Sequence, residues 1–238
     1  MEKISKAQIK HVKTLQQKKH RDESALFIAE GAKCVEELRK GFELVHYYQE
    51  GENATHTEIE QMSGLKTPQG VIGVFRQREE DIRRLQNAEG EDLILALDGI
   101  QDPGNLGTII RTCDWFGVHT IVCSQDTADC YNPKVVQATM GALARVHLYY
   151  LDLPAWLAGQ QCNIYGTLLE GKDMYDTPLF QKGIIIMGNE GNGISPVIRK
   201  AVTHPIRIPS YPKNAETSES LNVSIATAIV LAAFRRKK

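Results

Sequence analysis

The stretch that decides the fold reads Leu97-Asp98-Gly99-Ile100-Gln101-Asp102-Pro103-Gly104-Asn105-Leu106-Gly107-Thr108-Ile109-Ile110-Arg111-Thr112. An apolar run, Leu93 to Leu97, enters a loop broken by Gly99, Pro103 and Gly104, and an amphipathic helix is predicted from near Leu106. Open α/β sheets place their ligand sites at such strand–loop–helix junctions, at the carboxyl ends of the strands. Asn105 and Arg111 lie within two helical turns of each other, so the unit can aim an amide and a guanidinium at one crevice. Such a site suits a polar, anionic ligand. Two familiar phosphate loops are excluded. Gly99 and Gly104 have the spacing that opens a Walker A loop, but Asn105-Leu106 stands where Lys-Ser/Thr is required. Neither this loop nor Gly188-Asn189-Glu190-Gly191-Asn192-Gly193 reads G-x-G-x-x-G, so the dinucleotide fingerprint is missing.

Downstream of this unit, strands are predicted at His119–Cys123, Val146–Tyr149, Asn163–Leu168, Gly183–Met187 and Pro205–Ile208. Helices are predicted at Leu106–Phe116, Pro133–Met140, Pro154–Gly159, Pro196–Ala201 and Leu221–Arg235. Near-continuous apolar strands such as Leu93–Leu97 and Ile184–Met187 imply a mostly parallel, open sheet covered on both faces. The last helix carries no charge between Leu221 and Phe234, so it is expected to be buried on nearly all sides, within the fold or at a subunit interface. Upstream, a basic helix over 5–19 precedes strands at Leu26–Ala29, Leu44–Tyr48 and Val71–Phe75, with a helix near Ala32–Arg39. That is a small α/β domain at 1–78. A charged segment poor in large apolar side chains, 79–91, is the linker to a second domain at 92–238.

The chain has 238 residues, 42% of them hydrophobic and 24% charged, which is ordinary for a globular protein with a sizeable core. No apolar run is long enough to cross a bilayer, and no apolar core follows the basic start as a secretory signal would require. Five cysteines, none in a C-x-x-C pair, fit buried thiols in a reducing cytoplasm. Neither they nor the seven histidines show metal-ligand spacing, so no metal is expected. The net charge of −1 hides a segregation. Residues 1–21 hold Lys3, Lys6, Lys10, Lys13, Lys18, Lys19 and Arg21 against Glu2 alone, and the chain closes on Arg235-Arg236-Lys237-Lys238. Basic ends on an acidic body can grip a phosphate backbone. A solvated helix and a frayed tail would give the same charges.

Two further loops repeat the pattern of the first. Ile184 to Met187 runs into Gly188-Asn189-Glu190-Gly191-Asn192-Gly193, where glycines admit close approach and Glu190 supplies a carboxylate. Ile206-Arg207-Ile208-Pro209 leads to Ser220-Leu221-Asn222-Val223-Ser224 at the start of the last helix, with Ser220 placed as its N-cap. Together the segments Asn105–Arg111, Met187–Gly193 and Ile208–Ser224 resemble the three motifs of the SpoU (TrmH-like) RNA ribose 2′-O-methyltransferases of the SPOUT superfamily. Ala138-Thr139-Met140-Gly141-Ala142 is similar to a short segment those proteins carry between motifs one and two. Glu30-Gly31 and Thr67-Pro68-Gln69-Gly70-Val71 are similar to the L30e-like substrate-binding domain that often precedes the catalytic one.

The resemblance implies a deep trefoil knot near the carboxyl terminus, a homodimer whose active site is completed across the interface, and S-adenosylmethionine as cofactor. It implies cofactor contacts at Met187, Gly188, Asn189, Gly191, Ile208 and Leu221, and catalytic roles for Asn105, Arg111, Glu190, Ser220 and Asn222. A guanidinium keeps its proton at neutral pH, so Arg111 is expected to hold a phosphate and stabilise a developing alkoxide rather than act as a base. The implied activity is 2′-O-methylation of structured RNA, with rRNA favoured by the leading domain. A tRNA substrate, or a non-catalytic RNA-binding or ribosome-assembly role on the same fold, are the alternatives. Ser210–Glu219 departs from the resemblance, since relatives often have a shorter, glycine-bearing turn there.

Overall fold

The computed structural model describes residues 4–85, 92–212 and 220–236. Two compact units are formed, one by residues up to Glu79 with Asp129–Arg145, the other by Glu80–Ala128 and Val146 onward.

In the first unit, α1 (Lys6–Thr14), α2 (Lys18–Ser24), β1 (Leu26–Glu30), α3 (Ala32–Leu38), β2 (Leu44–Gln49), α4 (His56–Met62) and β3 (Val71–Arg76) follow in order. The sheet is antiparallel with β3 in the middle, order β1-β3-β2. Val12, Leu15, Ile28, Ile59, Met62, Ile72 and Val74 form its core. The single helix expected over 5–19 is broken after Thr14, and the chain turns before α2 starts at Lys18. The Arg21 guanidinium, itself buried, donates to the Leu15 and Gln16 carbonyls at 2.9 and 3.0 Å, taking over bonds a continuous helix would make. Its other arm meets Asp129 at 2.6 Å. Arg21 therefore leaves the basic surface on which the sequence had placed it, and Lys18 pairs with Asp22 instead of standing alone. Helix α4 was not anticipated, although Thr55 and Glu58 form a capping box at its start. The segment Asp129–Arg145, containing α5 (Pro133–Thr139), packs in this unit rather than continuing the second. Phe27 and Tyr131 pack there as tilted rings with centroids 4.8 Å apart.

The second unit is a six-stranded parallel sheet, flanked by helices. Its strands are β4 (Leu93–Asp98), β5 (Thr120–Cys123), β6 (His147–Tyr150), β7 (Ile164–Asp173), β8 (Gly183–Gly188) and β9 (His204–Arg207), in the order β6-β5-β4-β8-β7-β9. Every pairing is parallel, so the carboxyl ends of all six lie along one edge. The helices are α6 (Pro103–Trp115), α7 (Leu153–Ala158), α8 (Pro196–Arg199) and α9 (Val223–Arg235). Side chains alternate between faces along a strand. Ile94, Ala96, Ile164, Ile184 and Ile186 accordingly pack with Leu153, Leu157 and Ile198 on one face. Tyr165 lies on the other, its ring 4.8 Å from Phe234 of α9. Leu85, at the end of a short 3-10 turn (Ile82–Arg84), enters the core of this unit, so the inter-domain segment is anchored there; residues 86–91 lie outside the described residues.

Helices α6 and α9, thirteen residues each, run side by side and parallel. Their starts are joined by Asn222 Nδ2 donating to Asn105 Oδ1 at 2.9 Å. Their ends are joined by the Arg235 guanidinium, which donates to the Phe116 and Gly117 carbonyls, both at 2.9 Å. Positive charge at a helix C-terminus is favourable, and here it satisfies carbonyls the helix leaves open. Within one chain α9 is enclosed on part of its surface. Val230, Leu231 and Phe234 are buried, but Ile225 is 53% exposed and Ala232 shares that open side.

Candidate active site

The first loop is shorter than expected, because α6 begins at Pro103 rather than near Leu106. Asp102 is the N-cap, accepting the Asn105 amide N–H at 2.8 Å, and Pro103 fills the first helical position, where its missing N–H costs nothing. Asn105 thus sits on the first helical turn, with its side chain fixed in direction. Asp98, buried at the end of β4, accepts the Ser195 amide at 2.7 Å and ties this strand end to the segment after β8.

The second loop, Asn189 to Gly193, closes on itself through Asn189 N to Gly193 O and Gly193 N to Asn189 O, at 3.0 and 2.9 Å. Gly188 is required at its base. A Cβ there would fall 2.2 Å from the Gly193 carbonyl carbon. Asn189 Oδ1 accepts the Gly191 and Asn192 amides at 2.9 and 3.1 Å, which shapes the turn that carries Glu190. At the third loop the N-cap of α9 is Asn222, not Ser220. Asn222 Oδ1 accepts the Ser224 and Ile225 amides, and Ser220 lies exposed two residues ahead.

The three loops meet through side chains. Asn222 Nδ2 donates to Asn105 Oδ1, and Asn105 Nδ2 donates to Glu190 Oε1, both at 2.9 Å. One amide therefore links a residue 85 positions ahead and another 117 positions ahead. Of the expected catalytic set, Asn105, Glu190 and Asn222 are brought together. Arg111 is not in this relay. Six helical residues turn the chain by about 600°, leaving Arg111 about 120° around the axis from Asn105. It lies on an exposed stripe of α6 with Thr108 and Trp115, the last 84% exposed, and it makes no hydrogen bond or ion pair to any described residue.

Among the expected cofactor contacts, Met187 is buried in β8, Gly188, Asn189 and Ile208 are half-buried, and Gly191 and Leu221 are exposed. The side chain of Asn189 is engaged with Gly99 and its own turn. Among the described residues, the main-chain groups of Ile208 and Leu221 enter no hydrogen bond, which leaves amides and carbonyls beside apolar side chains at the strand edge. Residues 213–219, most of the unusual loop, lie outside the described residues. Three polar partners escaped sequence reasoning. Asp102 was legible as Asp-Pro ahead of an amphipathic run, whereas Asp98 and Ser124 carry no local signal. No group of three or more His, Cys, Asp or Glu among the described residues is arranged to hold a metal.

An all-parallel α/β sheet with three polar loops joined at one edge is the architecture of a SPOUT-class methyltransferase, and comparison with known proteins agrees. The profile described as the SpoU rRNA Methylase family matches residues 92–232, and the MRM3-like substrate binding domain matches residues 6–73. The chain belongs to the SpoU rRNA methylase family. It is 28% identical, over 97% of both chains, to the 23S rRNA (guanosine(2553)-2′-O)-methyltransferase RlmP of Bacillus subtilis. It is 32% identical to the 23S rRNA (guanosine-2′-O-)-methyltransferase RlmB of Neisseria meningitidis, over 71% of this chain and 70% of that one. A solved rRNA methyltransferase from Sinorhizobium meliloti with AdoMet bound superposes with a TM-score of 0.83 and 31% identity, covering 95% of this chain and 93% of that one. A TrmH-family protein from Porphyromonas gingivalis superposes with a TM-score of 0.87 and 34% identity, covering 98% of each.

Proposed function

We propose that this protein transfers a methyl group from S-adenosylmethionine to a ribose 2′-hydroxyl of ribosomal RNA. The observation that carries the reading is the relay Asn222–Asn105–Glu190, which joins all three loops at the strand edge where such a cofactor would bind. The chain fits the cofactor. The main chain of Ile208 and Leu221 offers donors and acceptors for an adenine edge, with their aliphatic side chains beside it, and Met187–Gly188 closes the site from β8. When bound, the cofactor supplies an electrophilic methyl on a sulfonium, so the protein's task is alignment and charge control. Glu190, held by Asn105, presents its second carboxylate oxygen for a ribose hydroxyl. Arg111, whose guanidinium offers donors and no acceptor, holds the neighbouring phosphate and stabilises the negative charge that develops on the 2′-oxygen.

The exposed position of Arg111 supports a homodimer in which a second copy covers the open sides of α6 and α9. Trp115 at the end of α6 and Leu221 and Ile225 at the start of α9 are exposed apolar side chains that such a copy would cover. The burial of Val230, Leu231 and Phe234 at the end of α9 supports a carboxyl-terminal segment threaded as a trefoil knot. Exposed Lys6, Lys10 and Lys13 on α1 support phosphate contacts by the first unit. The names of the relatives favour rRNA, and five cysteines with no C-x-x-C pair fit a reducing cytoplasm. The test has two arms: cofactor binding by calorimetry, and mapping of 2′-O-methyl positions in RNA from cells lacking the protein and after its addition. A restored rRNA position is expected. Restoration in tRNA alone would move the substrate, and absence of binding heat at millimolar cofactor would leave an RNA-binding protein without catalysis.

A further inference from the structure

The peptide groups on either side of Gly99 are held from two separate loops. The Gly99 N–H donates to Ser124 Oγ at 2.8 Å, and the Gly99 carbonyl accepts from Asn189 Nδ2 at 2.7 Å. Gly99 itself has φ +69°, and a Cβ there would come within 3.2 Å of Asp126. Ser124 is the first residue after β5, 8% exposed, and its own N–H continues the sheet by donating to Leu97 O at 3.0 Å. Its hydroxyl proton is directed at Asp126 Oδ1, 2.6 Å away, while Thr127 Oγ1 lies at 3.1 Å. An oxygen whose proton is committed to a carboxylate keeps its lone pairs for the Gly99 amide.

These bonds complete a circuit. Ser124 fixes Gly99, Gly99 fixes Asn189, and Asn189 shapes the turn of Glu190. Glu190 fixes Asn105, whose amide is bound in turn by Asp102, three residues after Gly99 on the same loop. We infer that Ser124, oriented by Asp126, is a positioning residue for methyl transfer, setting the first loop so that Asn105 and Glu190 meet. The inference rests on the function proposed above. It assigns a role to a loop after β5 that lies outside the three motifs and outside the cofactor contacts.

The test compares Ser124→Ala, Ser124→Thr and Asp126→Ala, with two readouts. The first needs no activity: the side-chain amide resonances of Asn105 and exchange of the Gly99 N–H in labelled protein. In Ser124→Ala the Asn105 resonances shift and Gly99 exchanges faster, and Ser124→Thr restores both. The second readout is steady-state methylation. Ser124→Ala lowers kcat by about ten- to a hundredfold, the scale of a small misplacement, while KM for the cofactor stays within about twofold. Asp126 is exposed, so its loss spares folding, and it gives a smaller fall in kcat in the same direction. Unmoved Asn105 resonances in Ser124→Ala, or a Ser124→Thr variant as impaired as Ser124→Ala, overturn the assignment. A wild-type protein with no methyl transfer, but with the expected resonance changes, overturns the proposed function and leaves the clamp standing as the element that sets this loop.

Discussion

The two units use opposite sheet topologies, and the difference decides where chemistry can be built. In the first, β1 and β2 both run against β3, so their carboxyl ends lie at one end of the sheet and that of β3 at the other, and the loops are divided between the two ends. In the second, all six strands point one way, and residues as distant in sequence as Asp98, Ser124, Gly188 and Ile208 emerge along one edge. A parallel sheet collects loops; an antiparallel one distributes them. The second unit can therefore assemble a site from three short motifs. What the first unit offers is a surface, with exposed lysines on α1.

The sharpest way to break this division is Arg111→Lys in the second unit. Loss of the planar fork should lower kcat by on the order of a thousandfold, with calorimetric cofactor affinity unchanged; near-normal methylation would remove Arg111 from the reaction. In the first unit, Arg21→Ala strips a buried guanidinium from Asp129 and two carbonyls. Urea unfolding should show a loss of about 3 kcal/mol, while cofactor affinity at a permissive temperature is retained. If affinity falls in parallel, the two units are not separable in the way their sheets imply. Replacing Lys6, Lys10 and Lys13 together by alanine should flatten the salt dependence of RNA binding by about 2 in the log–log slope, about tenfold in affinity at low salt, again without touching cofactor binding. An unchanged slope would place the RNA contacts elsewhere.

The smallest effect concerns pH. Burial raises the Cys34 thiol from 9.0 to about 11, with the Gly141 backbone opposing. The folded state then keeps a proton that the unfolded chain releases, so this contribution to stability is intact below pH 9 and is lost as pH rises toward 11. Cys34→Ala should reduce the stability lost between pH 8 and pH 10 by about 1 kcal/mol, read as the change in urea midpoint at the two pH values. Cys113 in the second unit is raised by burial as well and keeps part of the alkaline slope in the variant. A wild-type slope left intact by Cys34→Ala would assign the whole effect to the second unit.

The strands of the second unit were legible because burial on both faces demands continuous apolar runs, and Leu93–Asp98 is buried throughout. The first two loops were legible because each follows such a run with glycine and an amide or carboxylate, whereas the third contains no glycine and was legible through the resemblance carried by Ser220–Ser224. What escaped depends on partners far along the chain. The break after Thr14 follows from where Arg21 reaches, and composition could not say which side of α9 meets its own sheet and which side is left open. Ser220 looked like the cap of α9 because serine suits that position, yet Asn222 has the advantage of capping and reaching Asn105 at once. Ser124 is a lone serine between a strand and a turn, and its importance lies entirely in what stands opposite.

That double engagement of Asn222 has a consequence for biosynthesis. Capping α9 and gripping Asn105 are acts of one side chain, so winding of that helix and assembly of the proposed site are coupled. A chain emerging from the ribosome could not join its three loops until α9 had cleared the exit tunnel, however early the sheet had formed.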